Sequence, residues 1–254
     1  MFLSKKVPEN LHNFRIDIIL TELNLVESRN KALSIIMSGN VYVDDRKILK
    51  PGKFVKSNSI IKIIKKDISW VSRGGTKLDG ALQSLNINPY NKVCMDVGCS
   101  TGGFTDVLLD RGVKKVYAID VGYGQFDWRL RNSKRVILYE RTNIKNINSE
   151  MFAETLDFIV CDVSFISLTK ALIPVKKFLS QNYQILALIK PQFEVLRKDI
   201  GKGGIIRDIL IHQKVCKNIN KWFKENFKYT EIKIIESQIL GQKGNKEFFI
   251  YLNY

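Results

Sequence analysis

The sequence predicts an α/β protein: a Rossmann-like, doubly wound parallel sheet with an antiparallel C-terminal hairpin, preceded by a small α+β unit. Three observations carry this. Apolar runs near 93–97, 115–120, 136–139, 156–161 and 183–189 alternate with helical patterns, as parallel strands joined by crossover helices do. The first run leads into a glycine turn, Gly98-Cys99-Ser100-Thr101-Gly102-Gly103, and the second ends in an acid, Asp120, about twenty residues further on. Near the C-terminus, β-rich segments at 229–237 and 248–252 flank Gly241-Gln242-Lys243-Gly244-Asn245, which places one antiparallel strand on the sheet.

The elements follow in chain order. Residues 1–66 form the small unit. Phe14, Ile16, Ile19, Leu20 and Leu23 recur at helical spacing, and Ser28 is an N-cap for a second helix over 29–37 that Gly39 closes. Val41-Tyr42-Val43 reads as a strand, Asp44-Asp45 and Lys50-Pro51-Gly52 as turns, and 60–64 as another strand. Residues 67–73 are expected to link this unit to a second domain, 74–254. Ser72-Arg73-Gly74-Gly75 reads as a flexible basic turn and 76–85 as a helix, with 104–109 helical after the glycine turn.

A chain of 254 residues with 45% hydrophobic content can bury a real core. The net charge of +16 predicts an acidic partner, nucleic acid ahead of membrane. Cys94, Cys99, Cys161 and Cys216 make no C-x-x-C pair, and His12 and His212 are far apart, so no metal site is expected. The thiols suit a reducing cytosol. The first six residues turn polar too soon for a signal peptide, and no apolar run approaches the ~18 residues that span a bilayer. A cytoplasmic protein is expected.

The glycine turn narrows the ligand. Gly98 followed by Gly102 and Gly103 departs from the G-x-G-x-x-G of dinucleotide sites, and no Gly-Lys-Ser/Thr ends the turn as a P-loop would. Asp96 stands just before the turn, where a carboxylate repels a pyrophosphate and suits an ammonium group. S-adenosylmethionine has an ammonium group and a ribose diol that could hydrogen-bond to Asp120. The candidate donor pocket is Asp96, Gly98, Ser100, Thr101, Gly102, Gly103 and Asp120, with Asn143 after the 136–139 strand as an edge contact to adenine or a plain turn residue.

With these segments in order, the chain resembles a known family. Phe14-Arg15-Ile16-Asp17, Ser28-Arg29-Asn30-Lys31-Ala32 and Gly39-Asn40-Val41-Tyr42-Val43 come first, then Ser72-Arg73-Gly74-Gly75-Thr76-Lys77-Leu78, the run from Asp96 to Asp106, and Cys161-Asp162-Val163-Ser164-Phe165-Ile166-Ser167. Lys190-Pro191-Gln192-Phe193-Glu194 and Gly244-Asn245-Lys246-Glu247-Phe248 complete the set. This pattern is similar to the TlyA family, in which an S4-type RNA-binding domain precedes an FtsJ-like, class I methyltransferase domain, and which carries an old hemolysin label. The resemblance implies a cytidine 2′-hydroxyl of 23S ribosomal RNA as substrate, with 16S RNA a second target in some members. The short ends lean to the large subunit. It also implies the catalytic set Lys77, Asp162, Lys190 and Glu247.

Methyl transfer to a ribose hydroxyl needs an in-line oxygen and a route for its proton. Lys190 is the candidate at that oxygen: as an ammonium it can orient it or stabilise an alkoxide, as a neutral amine it can take the proton, and both roles stay open at this point. Arg15, Arg29, Lys31, Arg73, Lys198 and Lys202 are candidate contacts to RNA phosphates. The expected partner is ribosomal RNA within its subunits, with no DNA, no membrane and a monomeric protein. The alternatives are an assembly factor that binds RNA without turnover, a membrane-active hemolysin, and a base methyltransferase. The last departs from Asp162-Val163-Ser164-Phe165, which holds neither Asn-Pro-Pro-Tyr nor a cysteine.

Overall fold

A computed structural model describes the chain apart from residues 1, 27, 38 and 65–69 and the side chains of Phe2, Ser34, Ile64, Lys198, Lys202 and Gln242. It divides into two compact units, Met1–Ser69 and Trp70–Tyr254.

In the first unit, β1 (Phe2–Lys6), β2 (Phe14–Arg15), α1 (Ile16–Glu22), α2 (Arg29–Met37), β3 (Val41–Val43), β4 (Arg46–Ile48), β5 (Phe54–Val55) and β6 (Ile60–Ile64) follow in order. The antiparallel sheet runs β1-β6-β3-β4, and β2 pairs with β5. Ser28 caps α2 by accepting from the Lys31 N–H at 3.3 Å. The β3–β4 hairpin turns on Asp44 and Asp45, both at positive φ, the geometry a two-residue hairpin loop requires. Ile16, Ile19, Leu20, Ala32, Ile36, Val41 and Ile61 are fully buried between the two helices and the sheet. The sequence pattern did not announce β1 or β4: both are short and lysine- or arginine-bearing, and pairing with a neighbour makes them strands.

The second unit comprises α3 (Arg73–Ser84), β7 (Val93–Val97), α4 (Gly103–Asp110), β8 (Lys115–Ile119), α5 (Trp128–Arg131), β9 (Val136–Tyr139), β10 (Leu156–Cys161), α6 (Leu168–Leu172), β11 (Leu179–Ile189), α7 (Ile209–Asn226), β12 (Glu231–Glu236) and β13 (Phe248–Asn253). Its seven strands lie in the order β12-β13-β11-β10-β7-β8-β9. β13 is antiparallel to β11 and β12 to β13; the pairs among the other five are parallel. Alternate residues feed two cores: Val93, Met95 and Val97 face the side of α6 and α7, while Cys94 faces the side of α3 and α4. The strand order reverses between β7 and β10, so the crevice opens at their carboxyl ends.

Two expectations change. The stretch 72–75 is not a flexible turn: α3 begins at Arg73, three residues before the predicted start. Gly75 leaves room for Trp70, whose side chain would lie 2.4 Å from a Cβ there, and Gly103 on α4 brings the two helix starts together. A Cβ on Gly103 would lie 2.1 Å from Ser72 Oγ and 2.9 Å from the Gly75 backbone nitrogen, so the starts of α3 and α4 touch backbone to backbone. Trp70 and Val71, expected in the linker, lie in the second unit: Trp70 packs against the α3–α4 core, and the Val71 N–H donates to Asp106 at 2.9 Å. Residues 67–69 of that linker lie outside the described residues. Cys94, Cys99 and Cys161 are buried free thiols and Cys216 is half-buried.

Candidate active site

The glycine turn is built by strand ends. β7 stops at Val97, and Gly98 turns the chain at φ +81° with its N–H donated to the Ile119 carbonyl at 2.9 Å. A side chain there would be strained, and its Cβ would meet the Asp162 carbonyl oxygen at 3.0 Å. Asp120 follows β8 and accepts from the Ser100 N–H at 2.8 Å and the Gly122 N–H at 2.7 Å. Each of its oxygens keeps a second lone pair for a ligand hydroxyl. Gly102 caps α4.

Beside this turn opens a cleft of about 400 Å³. Of the residues singled out by sequence, Arg73, Lys77, Gly98, Ser100, Thr101, Gly103, Asp162, Lys190 and Glu247 line it. Asp96, Gly102, Asp120 and Asn143 are not on its wall. Asp96 is fully buried: Thr105 Oγ1 donates to its Oδ2 at 2.7 Å, and Oδ1 has no hydrogen-bond partner among the described residues. Burial pushes its carboxyl up to about 7, against the Thr105 hydrogen bond and with help from Asp162 and Asp120. Asn143 serves as a cap, its Oδ1 accepting from the Lys145 N–H at 3.0 Å.

The four charged residues resolve into two ion pairs. Lys190 Nζ is 2.7 Å from Asp162 Oδ1 and donates to Ser164 Oγ at 2.9 Å. Lys77 Nζ donates to Glu247 Oε2 at 2.6 Å, with side-chain exposures of 11% and 2%. The fold brings them together from distant segments. Asp162 and Lys190 are the first residues past adjacent parallel strands β10 and β11, Glu247 immediately precedes antiparallel β13, and Lys77 is on the first turns of α3. A Cβ on Gly241 would fall 1.9 Å from Glu247 Oε1, so that glycine leaves the space the carboxylate fills.

Three further residues hold the site and were given no role by sequence reasoning. Ser164 fixes the Lys190 ammonium, Gly241 admits Glu247, and Glu194 ties the Lys190 loop to the start of α6. Glu194 accepts from the Leu168 N–H at 2.6 Å and from Ser167 Oγ at 2.7 Å, and burial raises its carboxyl above the usual range. Ser164 and Glu194 stand inside motifs already noted; what was missing was their reach across chain separations of 26 and 27 residues. At the rim, Phe165 is held at φ +65° and 90% exposed, its ring 5.1 Å from that of Phe193.

In the first unit, Arg15 and Arg29 both reach the fully buried Asp17, at 2.9 and 3.1 Å. Burial pushes that carboxyl up, but hydrogen bonds from the two arginines outweigh it and hold the group below its usual range. The arginines remain 40% and 59% exposed, so Asp17 orients them without removing them from solvent. Lys31 is exposed; Arg73, in the second unit, donates to the Leu240 carbonyl at 3.2 Å. The side chains of Lys198 and Lys202 lie outside the described residues.

A glycine turn, an acid after the second sheet strand and a reversed last strand define an S-adenosylmethionine-type methyltransferase fold, and comparison agrees. The FtsJ-like methyltransferase family matches residues 70–254, and the S4 domain matches 14–61. Hemolysin A of Brachyspira hyodysenteriae is 43% identical over 93% of this chain and 98% of its own. The 16S/23S rRNA (cytidine-2′-O)-methyltransferase TlyA of Mycobacterium tuberculosis is 37% identical over 94% and 89%. A solved structure described as a hemolysin from Streptococcus thermophilus superposes with a TM-score of 0.71 at 36% identity, covering 96% of this chain and 89% of that one. The chain belongs to the TlyA family, an S4 domain joined to an FtsJ-like methyltransferase. No helix among the described residues is long and apolar enough to cross a membrane.

Proposed function

We propose that this protein transfers a methyl group from S-adenosylmethionine to a cytidine 2′-hydroxyl of ribosomal RNA, with 23S RNA the first substrate. One observation carries the reading: two amines and two carboxylates meet in one cleft beside the glycine turn. The relatives named above as cytidine-2′-O-methyltransferases support the choice of substrate.

The residues present fit the donor. Gly98 leaves a cradle that a Cβ would fill, and Asp120 offers lone pairs to a ribose diol. Asp96 then acts from beneath the turn rather than from the wall. When bound, S-adenosylmethionine supplies a methyl group that is already strongly electrophilic. The chain has to align the oxygen and receive its proton. Lys190 has three N–H donors. Ser164 engages one, the Asp162 carboxylate pairs with the charge from 2.7 Å without taking a hydrogen bond, and donors remain for the substrate oxygen. Lys190 thus orients and stabilises that oxygen as an ammonium. As the O–C bond forms and the donor's S–C bond breaks to leave a neutral thioether, the hydroxyl proton passes to Asp162, which at 21% exposure can hand it to water more readily than Glu247 at 2%. Lys77 and Glu247 lock each other and shape the opposite wall. Phe165 offers the target base a stacking face. Arg15, Arg29 and Lys31 hold phosphates, setting orientation and salt dependence. Ribosomal RNA as substrate places the reaction in the cytoplasm.

A single-turnover assay with labelled donor and intact ribosomal subunits tests this. Wild type labels the RNA at a ribose, and Lys190→Ala retains donor binding but loses transfer by 10²-fold or more. Label in no ribosomal particle, or undiminished transfer by Lys190→Ala, refutes the reading.

A further inference from the structure

Helix α7 carries lysines at 214, 217, 221 and 224, with Lys228 just beyond its end, a spacing of 3-4-3-4. At 100° per residue the four within the helix fall within about 80° of arc, on the side opposite the buried His212, Val215, Ile219 and Phe223, while Lys228 lies past the extended Phe227. All five lysines are exposed. The helix contains a single acid, Glu225, which reaches only Lys221, at 3.8 Å. Lys214, Lys217 and Lys224 have no ion pair among the described residues. Like charges at these spacings destabilise a helix, whereas an ordinary solvated face mixes lysine with glutamate. The Lys228 ammonium lies over the Tyr254 ring, 5.7 Å from its centre, and both line a groove of about 970 Å³ with Lys176, Asn182, Glu225 and Asn226. The other end of α7 follows a loop tied to the active site: the Ile206 N–H donates to Asn245 Oδ1 at 3.0 Å, two residues before Glu247.

We propose that this lysine stripe is a second RNA-binding surface, in the methyltransferase unit, that tracks a ribosomal RNA phosphate backbone leading away from the cleft. The inference rests on the ribosomal-RNA reading above and adds where the catalytic unit itself grips its substrate. Charge complementarity commits the occupant: a row of four point cations spanning about 15 Å from Lys214 to Lys224, with one exposed acid beside Lys221, matches a polyanion of regular spacing.

The full-length protein is tested in three ways. Lys214→Gln/Lys217→Gln/Lys221→Gln/Lys224→Gln is expected to lower affinity for the ribosomal subunit that wild type methylates by on the order of 10- to 100-fold. It should also reduce the slope of log affinity against log salt by roughly 3, while donor affinity is unchanged and thermal stability is equal or higher. The quadruple arginine variant restores binding. Lysine acetylation of wild type, read by mass spectrometry, shows these four residues protected in the complex, and the protection is lost after ribonuclease treatment; this arm needs no variant to fold. An unchanged salt slope, lysines that acetylate equally with and without the particle, or protection that survives ribonuclease and so marks a protein partner, each overturns the stripe. Wild type that methylates normally while the stripe fails leaves the proposed activity standing; wild type that methylates no particle removes both.

Discussion

Removing the amine of the Lys77–Glu247 pair separates what the pair does for stability from what it does for chemistry. The two charges are 2.6 Å apart, and Glu247 is 2% exposed in a space Gly241 leaves free. Lys77→Met leaves a carboxylate buried without its partner, a change that costs about 3–5 kcal/mol. For a unit of this size that lowers the melting temperature by roughly 10 °C. Lys77→Met/Glu247→Leu removes both charges and fills similar volume, so it is expected within about 1 kcal/mol of wild type, because breaking a pair is costly while replacing it is not. Methyl transfer is lost in both variants. Denaturant unfolding gives the stabilities, and labelled-donor turnover on ribosomal subunits gives the activities. A single variant as stable as wild type, or a double variant no more stable than the single, refutes the claim that the pair is a buried, mutually compensated unit.

Asp96 makes a pH prediction. Its folded-state value near 7 lies above the ordinary 3.8, so the native state binds more protons than the unfolded state between those limits and stability falls as pH rises through that window. Unfolding free energies measured from pH 4 to 7.5 should show a decline of order a few kcal/mol in wild type that flattens in Asp96→Asn; parallel curves contradict it. Gly103→Ala places a methyl group 2.1 Å from Ser72 Oγ and 2.9 Å from a backbone nitrogen, so α3 and α4 must part. A loss of about 1–3 kcal/mol in chemical denaturation and weaker donor binding by calorimetry are expected. Burial raises all four thiols, Cys216 to about 11 and the rest further, so iodoacetamide at pH 8 should modify the native protein slowly and only at Cys216. Rapid labelling at Cys161, read by mass, would show that its strand opens. Phe165→Ala should weaken RNA methylation without changing donor affinity or stability, since its ring is 90% exposed; a drop in melting temperature would show that it packs instead.

Much of this fold was legible because its signals are local. Strand periodicity, the Ser28 cap and the glycine turn each follow from a few adjacent residues. Where local signals misled, a tertiary contact was the cause. Ser72-Arg73-Gly74-Gly75 has the composition of a flexible turn, yet Arg73–Gly75 open α3, because Gly75 leaves room for the Trp70 side chain and Gly103 lets the start of α4 approach at backbone distance. Strand β11 runs from Leu179, four residues ahead of the predicted start, because Leu179 pairs with Leu156 across an irregularity in the ladder. Asn143 caps the following turn through Oδ1, a local bond that leaves its amide N–H groups outside it, so the cap and the adenine contact are compatible.

The sequence by itself determined the order of parallel strands along the chain of the second unit, the residues that end each of them and therefore which side chains reach the carboxyl edge, since alternation and turn chemistry act over a few residues. Only the tertiary structure decided that Lys190 answers to Asp162 and Ser164 while Lys77 answers to Glu247, 170 positions away, and that Asp96 lies sealed below the turn. Partnership and burial depend on how the strands are ordered across the sheet and on which glycines admit a neighbour, and neither is encoded in any short stretch of chain.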